Sequence, residues 1–405
     1  MKILHECCCG LDVHKKVIVA CLLRLGSEKQ VRRFGTTTRE LQSMVEWLKG
    51  AGCTHVAMES TGVYWKPVYN VLEGHFELLV VNAQHLKAVP GRKTDVLDAE
   101  WIAELLQHGL LKGSFVPPAF ERQMRELTRY RASLIQERSR TTQRLQKILE
   151  SANIKLSSVV SDIRGASARA ILDQLANGET DSQALAALAK GRLREKREQL
   201  EQALVGRIES HHRFLIVELL AHLDSLDDGI QRLDAEIGQR YRPFEPEIQL
   251  IDTIPGVNRK TAEVFLAEAG TDMSHFLSDR HIASWSALCS GQNESAGKRR
   301  SGKTRKGNRW LRQNLIEAAH AAGLSKNTYL AAQYRRLASR RGPKRAAVAV
   351  AHSILVIAFH MLRRKQPYQD LGPNYFDERD KFAVQRRLVQ RLEKLGFKVD
   401  LSPAA

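Results

Sequence analysis

The 405-residue chain has little cysteine, no long uninterrupted apolar run and, over one stretch, almost no acid. Its six cysteines, Cys7, Cys8, Cys9, Cys21, Cys53 and Cys289, form neither a disulfide framework nor paired Cys-x-x-Cys zinc ligands. A reducing, cytoplasmic compartment is expected. The first residues lack the apolar stretch and small-residue cleavage site of a signal peptide. The longest apolar run, Ala346 to Leu362, is short for a membrane span and carries His352 and His360, so a buried helix and no membrane partner are expected. A Gly-rich Lys-Ser/Thr phosphate loop is also missing, which argues against nucleotide-driven chemistry. With 43% hydrophobic and 27% charged residues the chain can bury a substantial core. Wholesale disorder is excluded, and the length suggests about two or three domains.

The acid deficit is local. Residues 1–110 carry 13 basic and 12 acidic residues, whereas residues 290–365 carry 18 basic residues against only Glu294 and Glu317, or +16 of the chain's +18. Lys298, Arg299, Arg300, Lys303, Arg305, Lys306, Arg309 and Arg312 crowd into a stretch punctuated by Gly297, Gly302 and Gly307. Such a stretch predicts a loop that follows nucleic-acid phosphates by ion contact and counterion release. A second cluster follows at Arg335, Arg336, Arg340, Arg341, Lys344 and Arg345. No amphipathic helix with an exposed apolar face accompanies these charges, which disfavours a membrane surface.

Patterning divides the chain. Strand signals at 8–13, 17–23 and 30–36 precede a helical stretch at 39–48, a strand at 55–58, a helix near 64–72, a strand at 76–81 and a helix from about 94 to 107. The order βββαβαβα predicts an α/β domain of RNase H-like fold over residues 1–115. Long, charged, helix-favouring sequence follows, from about 121 to 151 and from about 181 to 240, which predicts extended helices in a coiled-coil-like or bundled middle over 116–246. The two prolines of Tyr241-Arg242-Pro243-Phe244-Glu245-Pro246 predict a domain boundary. A mainly α-helical domain is expected over 247–370. It opens with two helical stretches joined at Ile254-Pro255-Gly256-Val257, a helix-hairpin-helix pattern whose turn can offer backbone N–H groups to phosphate. Residues 371–405 are expected to be a partly disordered tail.

Four acids fall where this fold would gather them. Asp12 lies near the end of the first strand, Glu59 follows an apolar strand, and Asp95 and Asp98, three apart at a helix start, share a face. A carboxylate cluster is unfavourable unless cations neutralise it, and hard oxygen ligands suit Mg²⁺ or Mn²⁺. Such ions stabilise charge that develops when a phosphodiester is cut. His14, two residues after Asp12, could support it from behind; His85 and His352 are expected to be structural.

The elements Gly-Leu-Asp12-Val-His-Lys, Met-Glu59-Ser-Thr-Gly-Val-Tyr-Trp and Lys-Thr-Asp95-Val-Leu-Asp98-Ala resemble the DEDD RuvC-like domain of the insertion-sequence 110 family of transposases. The region from Ile254 to Val257, Gly297-Lys298-Arg299-Arg300-Ser301-Gly302 and Lys306-Gly307-Asn308-Arg309-Trp310-Leu311-Arg312 resemble that family's second domain. The resemblance implies a nucleophilic serine just before the glycine-lysine stretch, which is Ser295 here, with Ser290 and Ser301 as alternates. Glu294 departs from the small or hydroxyl residue that often precedes it. Further implied are strand exchange through a phosphoserine link, an element-encoded noncoding RNA that selects donor and target DNA, and a dimer or tetramer. A structure-specific endonuclease of the junction-resolvase type, using the four carboxylates to activate water, is the alternative.

Overall fold

The computed structural model describes residues 3–60, 62–82, 95–291, 293–295, 298–302, 304 and 307–402. The chain forms two compact units, Met1–Pro117 and Pro118–Ala405.

In the first unit, β1 (Cys7–Val13), β2 (Val17–Arg24) and β3 (Gln30–Gly35) make an antiparallel meander. Strands β4 (His55–Glu59) and β5 (Glu77–Val81) add in parallel beyond β1, giving the order β3-β2-β1-β4-β5. Period-two alternation decides which residues each face buries. Cys9, Leu11, Ile18, Ala20, Val56 and Met58 share a core packed by α1 (Thr38–Gly50) and α2 (Trp65–Leu72). Helix α1 presents Leu41, Met44, Val45 and Leu48, spaced for a single helical face, and Thr37 caps it by accepting from the Glu40 N–H. The opposite sheet face, with Cys8, Val19, Cys21 and Ala57, packs against Ala99, Ile102, Ala103 and Leu106 of α3 (Asp95–Gln107). The five cysteines of this unit are buried free thiols. Burial pushes Cys8 and Cys53 up to about 12 and Cys21 up to about 11, so they pack as small apolar groups rather than reactive thiolates.

The second unit is built on two long helices, α4 (Ala119–Ser151) and α9 (Ser210–Arg240). Arg131 pairs with Asp234 at 2.9 Å and Arg138 with Asp227 at 2.6 Å. Seven residues forward on one helix match seven back on the other, so the pair runs antiparallel within the chain. Between them α5 (Leu156–Val159), α6 (Ala166–Asn177), α7 (Ser182–Ala187) and α8 (Arg197–Leu204) enclose a core with Leu145, Leu149, Ile171, Leu175, Leu200 and Leu220. The second long helix therefore starts at Ser210, not near 181 as its helix-favouring composition predicts. Gly206 shows why the chain turns there: a Cβ on it would stand 2.5 Å from the Ala152 carbonyl oxygen.

The expected boundary at 241–246 is not one. Tyr241 is buried, donates from its hydroxyl to the Glu263 carbonyl at 3.0 Å and packs edge-on against Phe120. Pro246 sits in the first turn of α10 (Glu245–Asp252), where its missing N–H costs nothing, so it starts a helix rather than a linker. The core there joins Met124 and Ile237 to α10, α11 (Arg259–Ala269), α12 (Asp279–Trp285), α13 (Arg309–Leu324), α14 (Tyr329–Arg341) and α15 (Pro343–Arg364). Helix α15 is long and apolar enough to cross a membrane by length and composition, but Val350, Ile354, Leu355, Ala358 and Phe359 are buried in this core, the buried helix expected from the sequence. In the expected tail, α16 (Tyr375–Arg379) and α17 (Lys381–Glu393) are helical, and Phe376 stacks on Tyr329 at 5.1 Å, which anchors the segment's start.

Candidate active site and nucleic-acid surface

Strand register places two of the acids together. β1 and β4 run parallel with Leu11 opposite Met58, so Asp12 and Glu59 are the next residues at the same end of neighbouring strands. Alternation puts both on the face that packs α3, since Gly10 and Ala57, two residues earlier, face that helix. A Cβ on Gly10 would lie 2.3 Å from the Ala99 oxygen and 2.4 Å from the Ala103 nitrogen, so α3 crosses β1 in backbone contact. Asp98, half-buried, precedes Ala99 on that helix. Asp95 is its first residue, and its side chain lies outside the described residues.

Asp12 is 14% exposed, and its Oδ2 stands 2.9 Å from Nε2 of His14, which is 48% exposed. The imidazole thus holds one carboxylate oxygen from the solvent side. Among the described residues no three acidic, histidine or cysteine side chains come together as a group that could hold a metal ion, and the side chain of Asp95 is not among them. By donor type alone, carboxylate oxygens on one sheet face with an imidazole beside one of them are ligands of the kind a hard divalent cation takes.

Ser295 ends β6 (Asn293–Ser295), which pairs antiparallel with β7 (Lys298–Ser301) in the register Ser295 to Lys298 and Glu294 to Arg299. The stretch expected to be a basic loop is therefore in part an antiparallel strand pair, and residues 296–297 lie outside the described residues. Lys298, Arg299, Arg300 and Ser301 are on β7; Lys303, Arg305 and Lys306 lie outside the described residues; Arg309 and Arg312 open α13. Extended backbone suits this sequence because glycines and charges form no apolar helical face, and pairing satisfies its backbone groups.

The downstream end of this segment is held by groups that sequence reasoning missed. Asn308 caps α13 by accepting from the N–H groups of Trp310 and Leu311, and its Nδ2 donates to Glu268 at 2.7 Å. Glu268 is fully buried on α11 and also receives both arms of Arg129, each at 2.7 Å. Arg125 donates to the Ala267 and Glu268 carbonyls, and burial draws its guanidinium down to about 10. Gly307 fits against Trp285, where a Cβ would stand 2.6 Å from that residue's oxygen. The available signal was Glu263 and Glu268 within the otherwise apolar run of α11, with arginines repeating on α4. Glu263 accepts from buried Arg131 at 2.7 Å.

Residues 9–154 match the family model of DEDD-type IS110 transposases, and residues 248–335 match that of the IS116/IS110/IS902 transposase family. The chain belongs to the IS110 transposase family. It is similar to the transposase for insertion sequence element IS1111A of Coxiella burnetii, 25% identical over 369 residues, spanning 89% of this chain and 87% of that protein. A second relative, y4pF/y4sB of Sinorhizobium fredii, whose name carries the word transposase, is 28% identical over 176 residues, covering 38% of this chain and 45% of the relative.

The two matched stretches of this IS110-family transposase contain the four carboxylates and the Ser295 hairpin respectively. The Pro255-Gly256 turn joins α10 and α11 as the sequence pattern predicts. Gly256, at φ +84°, seats the turn on α13, where a Cβ would be 2.3 Å from the Ala322 nitrogen. The adjoining cations are engaged by protein: Arg259 by Glu245 at 2.6 Å and Lys260 by Asp234 at 2.6 Å.

Proposed function

We propose that the protein is a recombinase that cuts and exchanges DNA strands through a covalent link to Ser295. The observation that carries this reading is the pairing, in one family member, of a carboxylate-bearing sheet face with a serine at the tip of a basic hairpin. The strand order β3-β2-β1-β4-β5 with α3 across it supports the RNase H-like, RuvC-like assignment of the first unit.

In the reaction we infer, the Ser295 hydroxyl gives up its proton and its oxygen attacks a DNA phosphorus. The bond from phosphorus to the 3′ oxygen breaks, that oxygen takes a proton, and the 5′ phosphate stays esterified to serine. Attack by another strand's 3′-hydroxyl reverses the step and rejoins DNA without ATP. Mg²⁺ or Mn²⁺, held by Asp12, Glu59, Asp95 and Asp98, would supply charge stabilisation for the leaving oxygen. His14 orients Asp12, and Lys298, Arg299, Arg300, Lys303, Arg305, Lys306, Arg309 and Arg312 hold the nucleic-acid backbone. Positive charge concentrated in one segment agrees with sequence choice by an element-encoded RNA, and a dimer or tetramer is the inferred working form.

A strand-exchange assay on element-junction DNA with the RNA transcribed from the element tests this. Ser295→Ala is expected to abolish exchange while DNA binding persists. Cleavage by Ser295→Ala that still needs Asp12 would favour instead a metal-dependent endonuclease acting through water.

A further inference from the structure

An open cavity of about 780 Å³ lies beside the two ends of the Ser295 hairpin, lined by Ser290 before β6 and Thr304 after β7. Its other wall is α14 and α15, which contribute Gln333, Lys344, Arg345 and His352. Three observations define what it could hold.

Gln333 Nε2 donates to the Ser353 hydroxyl at 3.0 Å, and that hydroxyl donates in turn to the Ala349 carbonyl at 3.3 Å. The Gln333 carbonyl oxygen is then the end left over, and it is buried with no partner among the described residues. His352 Nδ1 is in the same condition. Buried polar atoms left unmatched are uncommon in native structures and point to a missing partner, which for the Gln333 oxygen must be a donor. Lys344 and Arg345, exposed in the first turn of α15, make no ion pair among the described residues.

A ligand matching both features carries an anion for the two cations and an N–H or O–H donor for the Gln333 oxygen. A bare phosphate fails the second requirement, because at neutral pH it faces that oxygen chiefly with acceptors. A nucleotide meets both. We propose that this cavity holds one nucleotide of the strand engaged by the hairpin, its phosphate on Lys344 and Arg345 and a base or sugar donor on Gln333. The proposal rests on the reading that the chain binds nucleic acid, but not on Ser295 as nucleophile.

Fluorescence anisotropy of full-length protein with labelled single-stranded eight-nucleotide DNA and RNA, without divalent metal and over a range of salt, separates the contributions. Gln333→Leu is expected to weaken binding about three- to tenfold with an unchanged salt slope, as loss of one uncharged hydrogen bond would. Lys344→Ala with Arg345→Ala should weaken binding and flatten the slope by about one to two. Loss on RNA alone identifies the sugar hydroxyl as donor; loss on both strands identifies a base amine. Wild-type affinity in a folded Gln333→Leu protein overturns the proposal. If Gln333→Leu does not fold, a photoreactive benzoylphenylalanine at Thr304 decides: a crosslink to the oligonucleotide competed by unlabelled strand supports the site, and its absence overturns it. The readout is binding without divalent metal, so a failed Ser295 mechanism would leave this result standing.

Discussion

Glu268 shows how one side chain can fix a distant segment. Its carboxylate is fully buried yet shared by Arg129 and Asn308, so it ties α4 to the residue that caps α13. Removing one partner of a buried pair leaves the other charge uncompensated, at a cost of about 3–5 kcal/mol. Glu268→Ala is therefore expected to lose about that much stability in urea unfolding, with Glu268→Gln losing less because it can still accept from Asn308. His14 acts on a smaller scale. Because it supports Asp12 from the solvent side, His14→Ala should lower metal-dependent activity about 10- to 100-fold while the melting temperature barely moves. Metal titration of activity would show whether the loss is regained at higher Mg²⁺. The positions of Asp12 and Glu59 could be read in the sequence because each stands at or next to the end of an apolar strand, a place where an acid has no packing purpose. Glu268 gave only the weaker signal of an acid in an apolar run, since an acid on a helix reads as solvated until its arginine, 139 positions away in sequence, is brought against it.

Among the elements, the decisive contact is α3 on β1. Gly10, Ala99 and Ala103 allow backbone approach, and α3 carries Asp95 and Asp98 in its first turn. Gly10→Ala must push the helix away, because the added carbon would meet backbone atoms at 2.3 and 2.4 Å. A loss of about 1–3 kcal/mol is expected from overpacking. Activity should fall further than stability alone explains, which a comparison of turnover with thermal melting under folding conditions would reveal. By contrast, the Arg138–Asp227 pair joining the long helices is partly exposed, and a double-mutant cycle should find about 1 kcal/mol or less. The strands and helices of the first unit were legible because their apolar residues repeat at two or at three to four. The hairpin at Ser295 was not, since its glycines and cations carry no period and its strands are only three and four residues long. The proline pair after Tyr241 misled for a related reason: it marks a change of direction, and only the burial of Tyr241 and its neighbours shows that the core continues through it.

For the whole molecule, charge distribution and the covalent step are the two claims that matter. Almost all of the net +18 falls within residues 290–365. If six to ten of those cations meet phosphates, affinity for DNA should fall about 10³- to 10⁵-fold between 50 and 200 mM salt, measurable by filter binding. A shallow salt dependence would place the basic segment away from the nucleic acid. The covalent step is tested most directly by a denaturing gel. Full-length protein is incubated with Mg²⁺, labelled element-junction DNA and the element-derived RNA, then denatured. A labelled protein-DNA adduct is expected, absent from Ser295→Ala and Asp12→Ala, with the attachment mapped to Ser295 by peptide mass. Cut DNA with no adduct, dependent on Asp12 but indifferent to Ser295, would contradict the serine mechanism.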